Sequence, residues 1–244
     1  MKKEILIFTG WGTTCDAWKS IIPALSMRYQ VNCHSPSWSC DNTMKSSLLD
    51  FDQYIAEIAA KLNNSVFVLA WSMGGLIALA LAKQFPHLID KICFVSSVPT
   101  FVDRDNQDVG IDYDWYQSFR QQYKQQPLKT LKRFLALQVQ GDAFAKATLS
   151  EMKNIFPIES YDLDECTHGL ELLSNLSFKE DMMSLKCETY FIHGKNDAVV
   201  NWQSAKHASE MSNSPIYFIN NAGHAPQLSH AQDVLRFINH AFEC

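Results

Sequence analysis

The chain has 244 residues, of which 47% are hydrophobic and 19% charged, and its formal net charge is −5 at pH 7. This length fits one domain with a large core or one domain with a small insertion, and the composition argues against long disordered stretches. An acidic chain gives no reason to expect nucleic acid as a partner, because binding a phosphate backbone needs concentrated Lys and Arg. No apolar run is long enough to cross a membrane or to form a signal-peptide core, so we expect a cytoplasmic protein.

The seven cysteines are scattered, odd in number and without a C-x-x-C pair. This pattern predicts no disulfide framework, a reducing compartment, and thiols that serve mostly as small buried hydrophobes. None lies in a motif with metal-ligand spacing, and we expect neither a metal nor an organic cofactor. The cysteines are Cys15, Cys33, Cys40, Cys93, Cys166, Cys187 and Cys244.

Short apolar runs alternate with helical patterns over the first hundred residues, which predicts a parallel sheet with crossover helices. The predicted strands are Ile5–Phe8, Val31–His34, Val66–Ala70 and Ile92–Ser96. The predicted helices run from about Asp16 to Met27, Thr43 to Leu62 and Met73 to Phe85. Pro86 ends the third helix, because proline removes a donor and restricts its neighbour.

The alternation stops between Thr100 and about Met183, where the pattern is helical without a convincing buried strand. It then resumes, and the later elements are strand Thr189–His193, helix Trp202–Met211, strand Ile216–Ile219 and helix His230–Phe242. A helical block between two core strands is typical of a cap over the ligand edge of the sheet. We therefore predict an α/β core from 1–99 and 184–244, with a helical cap insertion at 100–183.

The segment Val66–Gly75 places a serine between a buried strand and an Ala/Leu-rich helix. A tight turn there would expose the Ser72 hydroxyl and aim the first N–H groups of the helix at whatever the serine attacks. Small flanking residues are needed because the two backbones approach closely, and Gly74 meets this need on one side. Ala70 stands where the G-x-S-x-G pattern has its first glycine. By itself the pentapeptide could be an ordinary strand-to-helix loop.

A serine hydroxyl needs a base to take its proton and a third group to orient that base. In nucleophile-elbow folds the order along the chain is Ser, Asp or Glu, then His. The loop His193–Asp197 follows a predicted strand, and Asn220–Pro226 follows the next one. Both loops should emerge at the edge where parallel sheets bind ligands. The sequence thus predicts a triad of Ser72, Asp197 and His224.

Other polar side chains compete less well for these roles. Two serines after a strand lack the flanking glycines, three histidines lie in or at the start of amphipathic helices, and a fourth should pack near a strand end. Two aspartates lie in or beside the cap with no strand before them. In that order these competitors are Ser96, Ser97, His207, His240, His230, His193, Asp181 and Asp164.

The tetrahedral intermediate of acyl transfer needs two converging backbone donors. The N–H of Met73, directly after the nucleophile, is one predicted donor of the oxyanion hole. The turn Gly10-Trp11-Gly12 after the first strand offers the N–H of Trp11 as the other. A Gly-Trp-Gly turn alone is usually just a turn, but its position after the first strand favours the functional interpretation.

Together these motifs resemble the α/β-hydrolase family, and within it the pimeloyl-[acyl-carrier protein] methyl ester esterases of biotin synthesis. One of the matching segments, Arg133–Gln138, lies in the predicted cap and therefore bears on the substrate more than the widely shared triad does. Thr9 departs from the family pattern, which has a histidine before the first glycine. The resemblance rests on Gly10–Gly12, Trp71–Gly75, Arg133–Gln138, Gly169–Leu173 and Ala222–Pro226.

The resemblance implies roles for three groups of residues. Ser72, Asp197 and His224 would be catalytic. The acyl chain would contact Trp11, Met73, Phe134, Leu135, Ala136, Leu137 and Gln138. An acyl-carrier protein would dock on Lys129, Arg133 and Lys146.

The charge of the predicted cap supports a carrier partner independently. Between Trp115 and Phe156 there are seven Lys or Arg against two acids, a local charge of +5 within a chain of −5. Because acyl-carrier proteins are acidic, a basic cap would steer them towards the site. A solvated helical face is the alternative interpretation.

The motifs predict a serine carboxylesterase, which we expect to be a monomer, and the resemblance implies that it removes a methyl ester from the far end of a carrier-linked acyl chain. Two alternatives remain open. One is a broad carboxylesterase for short acyl esters without a carrier, and the other is a non-catalytic binding protein with this fold. Lipase activity fits less well, because no amphipathic lid is evident in the sequence.

Overall fold

The computed structural model describes residues 2–35, 47–104, 110–158 and 161–243. Its strands are β1 (Glu4–Phe8), β2 (Gln30–His34), β3 (Val66–Trp71), β4 (Ile89–Val95), β5 (Val102–Asp103), β6 (Ile111–Asp112), β7 (Glu188–Gly194) and β8 (Ile216–Ile219). Within the described ranges a six-stranded parallel sheet has the order β2-β1-β3-β4-β7-β8, and β5 pairs separately with β6. The predicted mostly parallel sheet is confirmed.

Helices cover the sheet, and this explains why its central strands are apolar on both faces. Four of the five residues of β1 and five of the six of β3 are buried. The helices are α1 (Ile22–Ser26), α2 (Ser47–Ala60), α3 (Gly74–Gln84), α4 (Tyr113–Gln125), α5 (Pro127–Gln138), α6 (Ala145–Ile155), α7 (Leu163–Asn175), α8 (Trp202–Met211), α9 (Pro226–Ser229) and α10 (Ala231–Glu243).

Two predicted elements differ from the described structure by more than two residues. Strand β4 starts at Ile89 rather than at the predicted Ile92. The sequence prediction missed its first residues because the charged Lys91 interrupts the apolar run. In the structure Lys91 is buried and pairs with Glu188. The single helix expected from about Asp16 to Met27 is wrong. A helical turn at Cys15–Trp18 is followed by the separate helix α1, whose first turn contains Pro23. Proline fits a helix start but not a helix interior.

The structure joins Cys15 and Cys33 in a disulfide, so the expectation of unpaired thiols is wrong for these two residues. Cys33 lies on β2 opposite Ile7 of β1, and Cys15 follows the loop at the end of β1. Their Cα atoms are therefore only 5.9 Å apart although 18 residues separate them. Cys93 and Cys166 are free and buried as predicted, and Cys187 is free and half-buried. Cys40 and Cys244 lie outside the described residues, as does the predicted helix start at Thr43.

Helices α4 to α7 lie between β4 and β7, where the sequence predicts an inserted helical block. The two-residue strands β5 and β6 also lie there, and they are too short for any periodicity to reveal them. The boundaries proposed for the cap at 100 and 183 remain a prediction. Among the described residues no helix is long and apolar enough to span a membrane.

The strand order places the loops after β1 and β3 side by side at the carboxyl edge of the sheet. The chain runs outward from β1 to β2 on one side and from β3 to β4 on the other. A crevice therefore opens between β1 and β3. The loops after β7 and β8 touch at the same edge. A Cβ on Gly194 would lie 2.2 Å from the carbonyl oxygen of Gly223. Four loops that carry predicted site residues thus meet at one place.

Candidate active site

Ser72 occupies a strained turn between the end of β3 and the start of α3. Its φ of 53° lies in the left-handed region, which a serine seldom adopts. Two hydrogen bonds hold it there: its N–H donates to the carbonyl of Val95 over 3.0 Å, and Ser97 Oγ donates to the Ser72 carbonyl over 2.7 Å. Strain of this kind persists only where the surroundings enforce it, and it is characteristic of functional turns.

The turn is possible only because small residues surround it. A Cβ on Gly74 would come within 2.6 Å of the Phe8 carbonyl oxygen, and a Cβ on Gly10 within 3.2 Å of Ser72 Cβ. Ala70, at the position of the first glycine of G-x-S-x-G, is fully buried and pairs with Phe8 across β1 and β3. The methyl group of Ala70 is thus accommodated inside the sheet.

Ser72, His224 and Asp197 form a continuous chain of hydrogen-bonding contacts. His224 Nε2 is 2.9 Å from Ser72 Oγ, and His224 Nδ1 is 2.8 Å from Asp197 Oδ2. The side chains of His224 and Asp197 are shielded from solvent, whereas Ser72 keeps 6% of its surface exposed. Three residues that the sequence places on three different loops therefore meet with the geometry of a nucleophile, a base and an orienting acid.

The carboxylate of Asp197 is fixed on both oxygens. Oδ1 accepts the N–H groups of Val199 and Val200 at 2.8 and 2.9 Å, and Oδ2 lies 3.1 Å from His193 Nε2 as well as beside His224. Burial alone would raise the pKa of Asp197, but the charge of His224 and the hydrogen bonds from His193 and His224 outweigh it. The pKa of Asp197 is therefore held well below its usual range, and the group remains an anion.

His193 is a contact of the acid that sequence reasoning placed only near the strand end. Its ring is buried, and Nε2 also lies 3.0 Å from the carbonyl of Val200. The one signal in the sequence is its position four residues before Asp197 at the end of a strand.

His224 is held through its main chain as well as its ring. Its N–H donates to the Gln138 carbonyl over 2.8 Å, and its own carbonyl accepts the indole N–H of Trp71 over 2.9 Å. The two rings of Trp71 and His224 are 5.9 Å apart. The histidine loop is thus fixed both to the elbow strand β3 and to the end of α5 in the inserted block.

The two predicted oxyanion donors have no acceptor in the part of the chain that the structure describes. Among the described residues neither the N–H of Trp11 nor that of Met73 donates to a protein acceptor. Met73 follows Ser72 directly, and Trp11 follows Gly10, which packs against the Ser72 side chain. Two unpaired backbone donors on either side of a serine are what a developing oxyanion requires.

The side chain of Trp11 lies against the inserted helices. Its indole N–H donates to the carbonyl of Cys166 over 2.8 Å, and its ring is 5.0 Å from that of Phe134. Trp11, Met73 and Phe156 also line a cavity of about 160 Å³ beside the elbow. The inserted helices and the loop after β1 thus border this cavity, beside the turn that carries Ser72.

The structure distributes the predicted substrate-binding segment over more than one face of α5. Phe134 packs on Trp11, Leu135 is buried in the core, and the carbonyl of Gln138 bonds the histidine loop. Ala136 is exposed and, together with Leu137, lines a groove between α5 and α6. Only part of the segment is therefore brought to the triad.

The three predicted carrier-binding cations are exposed. Arg133 and Lys146 both line the groove between α5 and α6, whose volume is about 550 Å³. Lys129 lies one helical turn before Arg133 on α5, so the two residues share a face of the helix. A basic groove thus lies on the outside of the inserted block.

Two of the competing residues touch the triad without replacing a member of it, because His193 contacts Asp197 and Ser97 contacts the Ser72 carbonyl. Asp181 forms an ion pair with Lys83, and Asp164 lies in the first turn of α7. Ser97 donates to the Ser72 carbonyl, so it supports the elbow rather than replacing the nucleophile. Within the described ranges no cluster of three or more His, Cys, Asp or Glu side chains could hold a metal ion.

The chain is similar to known proteins over nearly its whole length. The family model for the alpha/beta hydrolase fold matches residues 4–231. The chain is 27% identical to pimeloyl-[acyl-carrier protein] methyl ester esterases from Pseudoalteromonas atlantica and Aeromonas hydrophila. The match covers 95% and 97% of this chain and 91% and 94% of those proteins, respectively. It is 26% identical to a biotin biosynthesis bifunctional protein from Teredinibacter turnerae and spans 44% of that longer chain.

Solved structures show the same fold. A bromoperoxidase from Bacillus anthracis superimposes with a TM-score of 0.89 at 19% identity, covering 100% of this chain and 93% of that one. An esterase from Exiguobacterium antarcticum superimposes with a TM-score of 0.82 at 16% identity, covering 99% and 92%.

The chain belongs to the α/β-hydrolase fold family. Its esterase-named relatives, together with the arrangement around Ser72, support a carboxylic ester hydrolase.

Proposed function

We propose that this protein is a serine esterase that hydrolyses the methyl ester of a pimeloyl group carried on an acyl-carrier protein, a step of biotin synthesis. The observation that carries the hydrolytic part is the continuous contact from Asp197 through His224 to Ser72. Beside it lie two backbone donors that have no acceptor among the described residues. The substrate rests on the names of relatives that match nearly the whole chain.

In the proposed reaction, His224 Nε2 takes the proton of Ser72 Oγ as this oxygen attacks the ester carbonyl. The negative charge on the carbonyl oxygen is stabilised by the N–H groups of Trp11 and Met73. Methanol leaves with the proton from His224, and an acyl-serine remains. Water activated by the same histidine then releases the free carboxylic acid and regenerates Ser72. Asp197 stays ionised and stabilises the protonated imidazole throughout.

The carrier would dock on the groove between α5 and α6. Arg133 and Lys146 line this groove, and Lys129 extends its positive face along α5. An acidic carrier protein is complementary to such a surface. A carrier docked there would deliver its acyl chain to the cavity beside Trp11 and Met73. We expect the enzyme to act as a cytoplasmic monomer.

Replacing Ser72 with alanine tests the hydrolytic mechanism. We expect Ser72→Ala to fold normally and to lose turnover by roughly 10⁶, the cost of removing the nucleophile of a triad. Native and variant proteins are compared on a small chromogenic ester, and a fluorophosphonate probe is used to label the serine. Near-native turnover by Ser72→Ala, in preparations cleared of contaminating esterase, would refute the assignment. An unlabelled native Ser72 would favour a non-catalytic binding protein.

Complementation tests the substrate. Cells that lack their own pimeloyl methyl esterase need biotin for growth, and we expect the native gene to remove this need while Ser72→Ala does not. In vitro, the carrier-linked ester should be a better substrate than the same ester free in solution. Equal turnover of both, with failed complementation, would favour the second candidate, a broad short-chain carboxylesterase. The small cavity beside the elbow is the observation that favours this candidate.

A further inference from the structure

The segment Gln138–Ala143, at the end of α5, forms hydrogen bonds with both loops that carry the proposed acid and base. It contacts the histidine loop through three hydrogen bonds and the aspartate loop through one. These bonds are His224 N–H to Gln138 O (2.8 Å), Ala143 N–H to Asn221 O (2.8 Å), Gly223 N–H to Asp142 Oδ2 (2.8 Å) and Asn196 Nδ2 to Gly141 O (2.7 Å).

Asp142 provides the only charged group among these contacts. Its side chain keeps 2% of its surface exposed, and three donors converge on its carboxylate. Oδ2 accepts from Gly223 N–H at 2.8 Å and from Ser229 Oγ at 2.7 Å, while Oδ1 accepts from Phe144 N–H at 2.7 Å. Hydrogen bonds to a carboxylate are about twice as strong as bonds between neutral groups. The carboxylate therefore anchors the peptide immediately before His224.

Close packing leaves the histidine loop little room to move while this anchor is in place. A Cβ on Gly223 would lie 2.7 Å from the carbonyl oxygen of Gln138, so the two backbones are in direct contact. On the other side of His224, Ser229 in α9 donates to the same oxygen of Asp142. One carboxylate thus binds the chain both before and after the proposed base.

We propose that Asp142 is a positioning residue for hydrolysis, which sets the distance between His224 and Ser72 by holding the peptide at Gly223. This inference rests on the proposed triad. Asp142 does not touch Ser72 or the reacting atoms, and it acts through the main chain of the histidine loop. A displacement of about 1 Å at a reacting group can reduce turnover by roughly 100-fold. The inserted block, through Asp142, thereby becomes part of the proton-transfer geometry.

Asp142→Asn is the sharpest variant because it keeps the size of the side chain. An asparagine side chain has only one acceptor oxygen, so its NH₂ group must face the N–H of either Gly223 or Phe144. Two donors cannot bond each other, and one of these two hydrogen bonds is therefore lost. The matched control is Asp112→Asn at the start of α4. Asp112 is an exposed carboxylate that accepts a single N–H, from Trp115 at 2.8 Å, and it has no contact with the catalytic loops among the bonds described for it.

The experiment measures kcat and KM on a small free ester and the rate at which a fluorophosphonate labels Ser72, at a temperature well below each variant's Tm. We expect Asp142→Asn to lower kcat and the labelling rate together by roughly 10- to 100-fold, with KM within about twofold of native. Asp112→Asn should leave all three quantities unchanged. Ser229→Ala, which removes one donor from the same oxygen, should lower kcat by a smaller factor.

Native kcat and labelling in folded Asp142→Asn would overturn the inference, as would an equal loss of activity in Asp112→Asn. If Asp142→Asn does not fold, Ser229→Ala decides: a lower kcat at native KM supports the positioning role, and full activity refutes it. Failure of the proposed hydrolysis looks different, because either the native Ser72 would stay unlabelled or Ser72→Ala would keep the native turnover.

Discussion

At the scale of single residues, the two partners of Ser72 have unequal tasks. In the proposed reaction His224 transfers the proton, whereas Asp197 holds the ring and stabilises its charge. We expect Asp197→Asn to lower turnover of a small ester by roughly 10⁴ and His224→Ala by roughly 10⁶, measured as kcat on purified variants. Asp181→Asn serves as the control, because Asp181 pairs with Lys83 outside the triad. If Asp181→Asn lost activity and Asp197→Asn kept it, the acid of the triad would be Asp181 and not Asp197.

The charge state of Asp197 also predicts how stability depends on pH. Its pKa is lowered in the folded protein, because the interactions with His224 and His193 outweigh the effect of burial. In the unfolded chain an aspartate has a pKa of about 3.9. The stabilisation from the ionised group is therefore fully present above that value and is lost as the pH falls towards the lower, folded pKa.

Urea denaturation of the native protein and Asp197→Asn at several pH values measures this contribution. We expect the difference in their free energy of unfolding to stay constant between pH 7 and about pH 5 and to shrink below about pH 4. A difference that grows between pH 7 and pH 5 would mean that the pKa of Asp197 is raised instead, because a carboxyl with a raised pKa adds stability as the pH falls.

At the scale of elements, the loop after β1 is held from two directions. Trp11 in this loop donates its indole N–H to the carbonyl of Cys166 in α7, and the disulfide from Cys15 ties the end of the loop to β2. A loop that supplies an oxyanion donor must keep its backbone N–H in a fixed direction. The same loop thus depends on both the sheet and the inserted block.

The disulfide should contribute to the stability of the whole fold. Cross-linking residues that are 18 apart restricts the unfolded chain, and loops of this length correspond to about 3 kcal/mol. We expect Cys15→Ser to lower the free energy of unfolding by up to this amount, measured by urea denaturation without reductant. Cys187→Ser, which removes a free thiol, is the control for the loss of a cysteine.

Reductant provides an independent check on the disulfide. Dithiothreitol should destabilise the native protein as Cys15→Ser does and should leave that variant unchanged. If the native protein has the same stability with and without dithiothreitol, the bridge is absent from the protein in solution.

At the scale of the whole molecule, an acidic protein presents a basic face on its inserted block. Replacing Lys129, Arg133 and Lys146 together with Glu should raise KM for a carrier-linked ester by roughly tenfold and leave kcat nearly unchanged. Surface charges act on encounter and weak binding rather than on bond breaking. Turnover of a small free ester should be unaffected. Raising the salt concentration should imitate the substitutions, since exposed charges are screened over roughly 8–10 Å.

A control variant with the same change in net charge separates the groove from general electrostatics. Lys61, Lys206 and Arg236 are exposed and lie outside the inserted block, so replacing them with Glu should affect the carrier-linked ester much less. Equal losses on carrier-linked and free esters would mean that the groove variant damaged the fold or the acyl cavity. No loss of turnover on either ester would mean that no carrier docks on the basic face, and it would favour the broad carboxylesterase.

Local signals were enough to predict the parallel sheet and the three residues that the structure brings together. The buried run before Ser72, the glycines after it and the loops after two later strands each place a residue at the end of a strand. Parallel strands deliver their ends to one edge, so these residues meet. The helix expected from about Asp16 to Met27 failed because a proline inside an apolar pattern can either start or end a helix.

The sequence by itself determined the fold class, the elbow at Ser72 and the order of acid and base, because these follow from short-range periodicity and from the geometry of parallel strands. Only the tertiary structure decided which distant side chains touch. It paired Cys15 with Cys33, set His193 against Asp197, and brought Asp142 to the peptide before His224. Contacts of this kind depend on how loops approach one another in space, and a single sequence carries no periodic signal for a distance between loops.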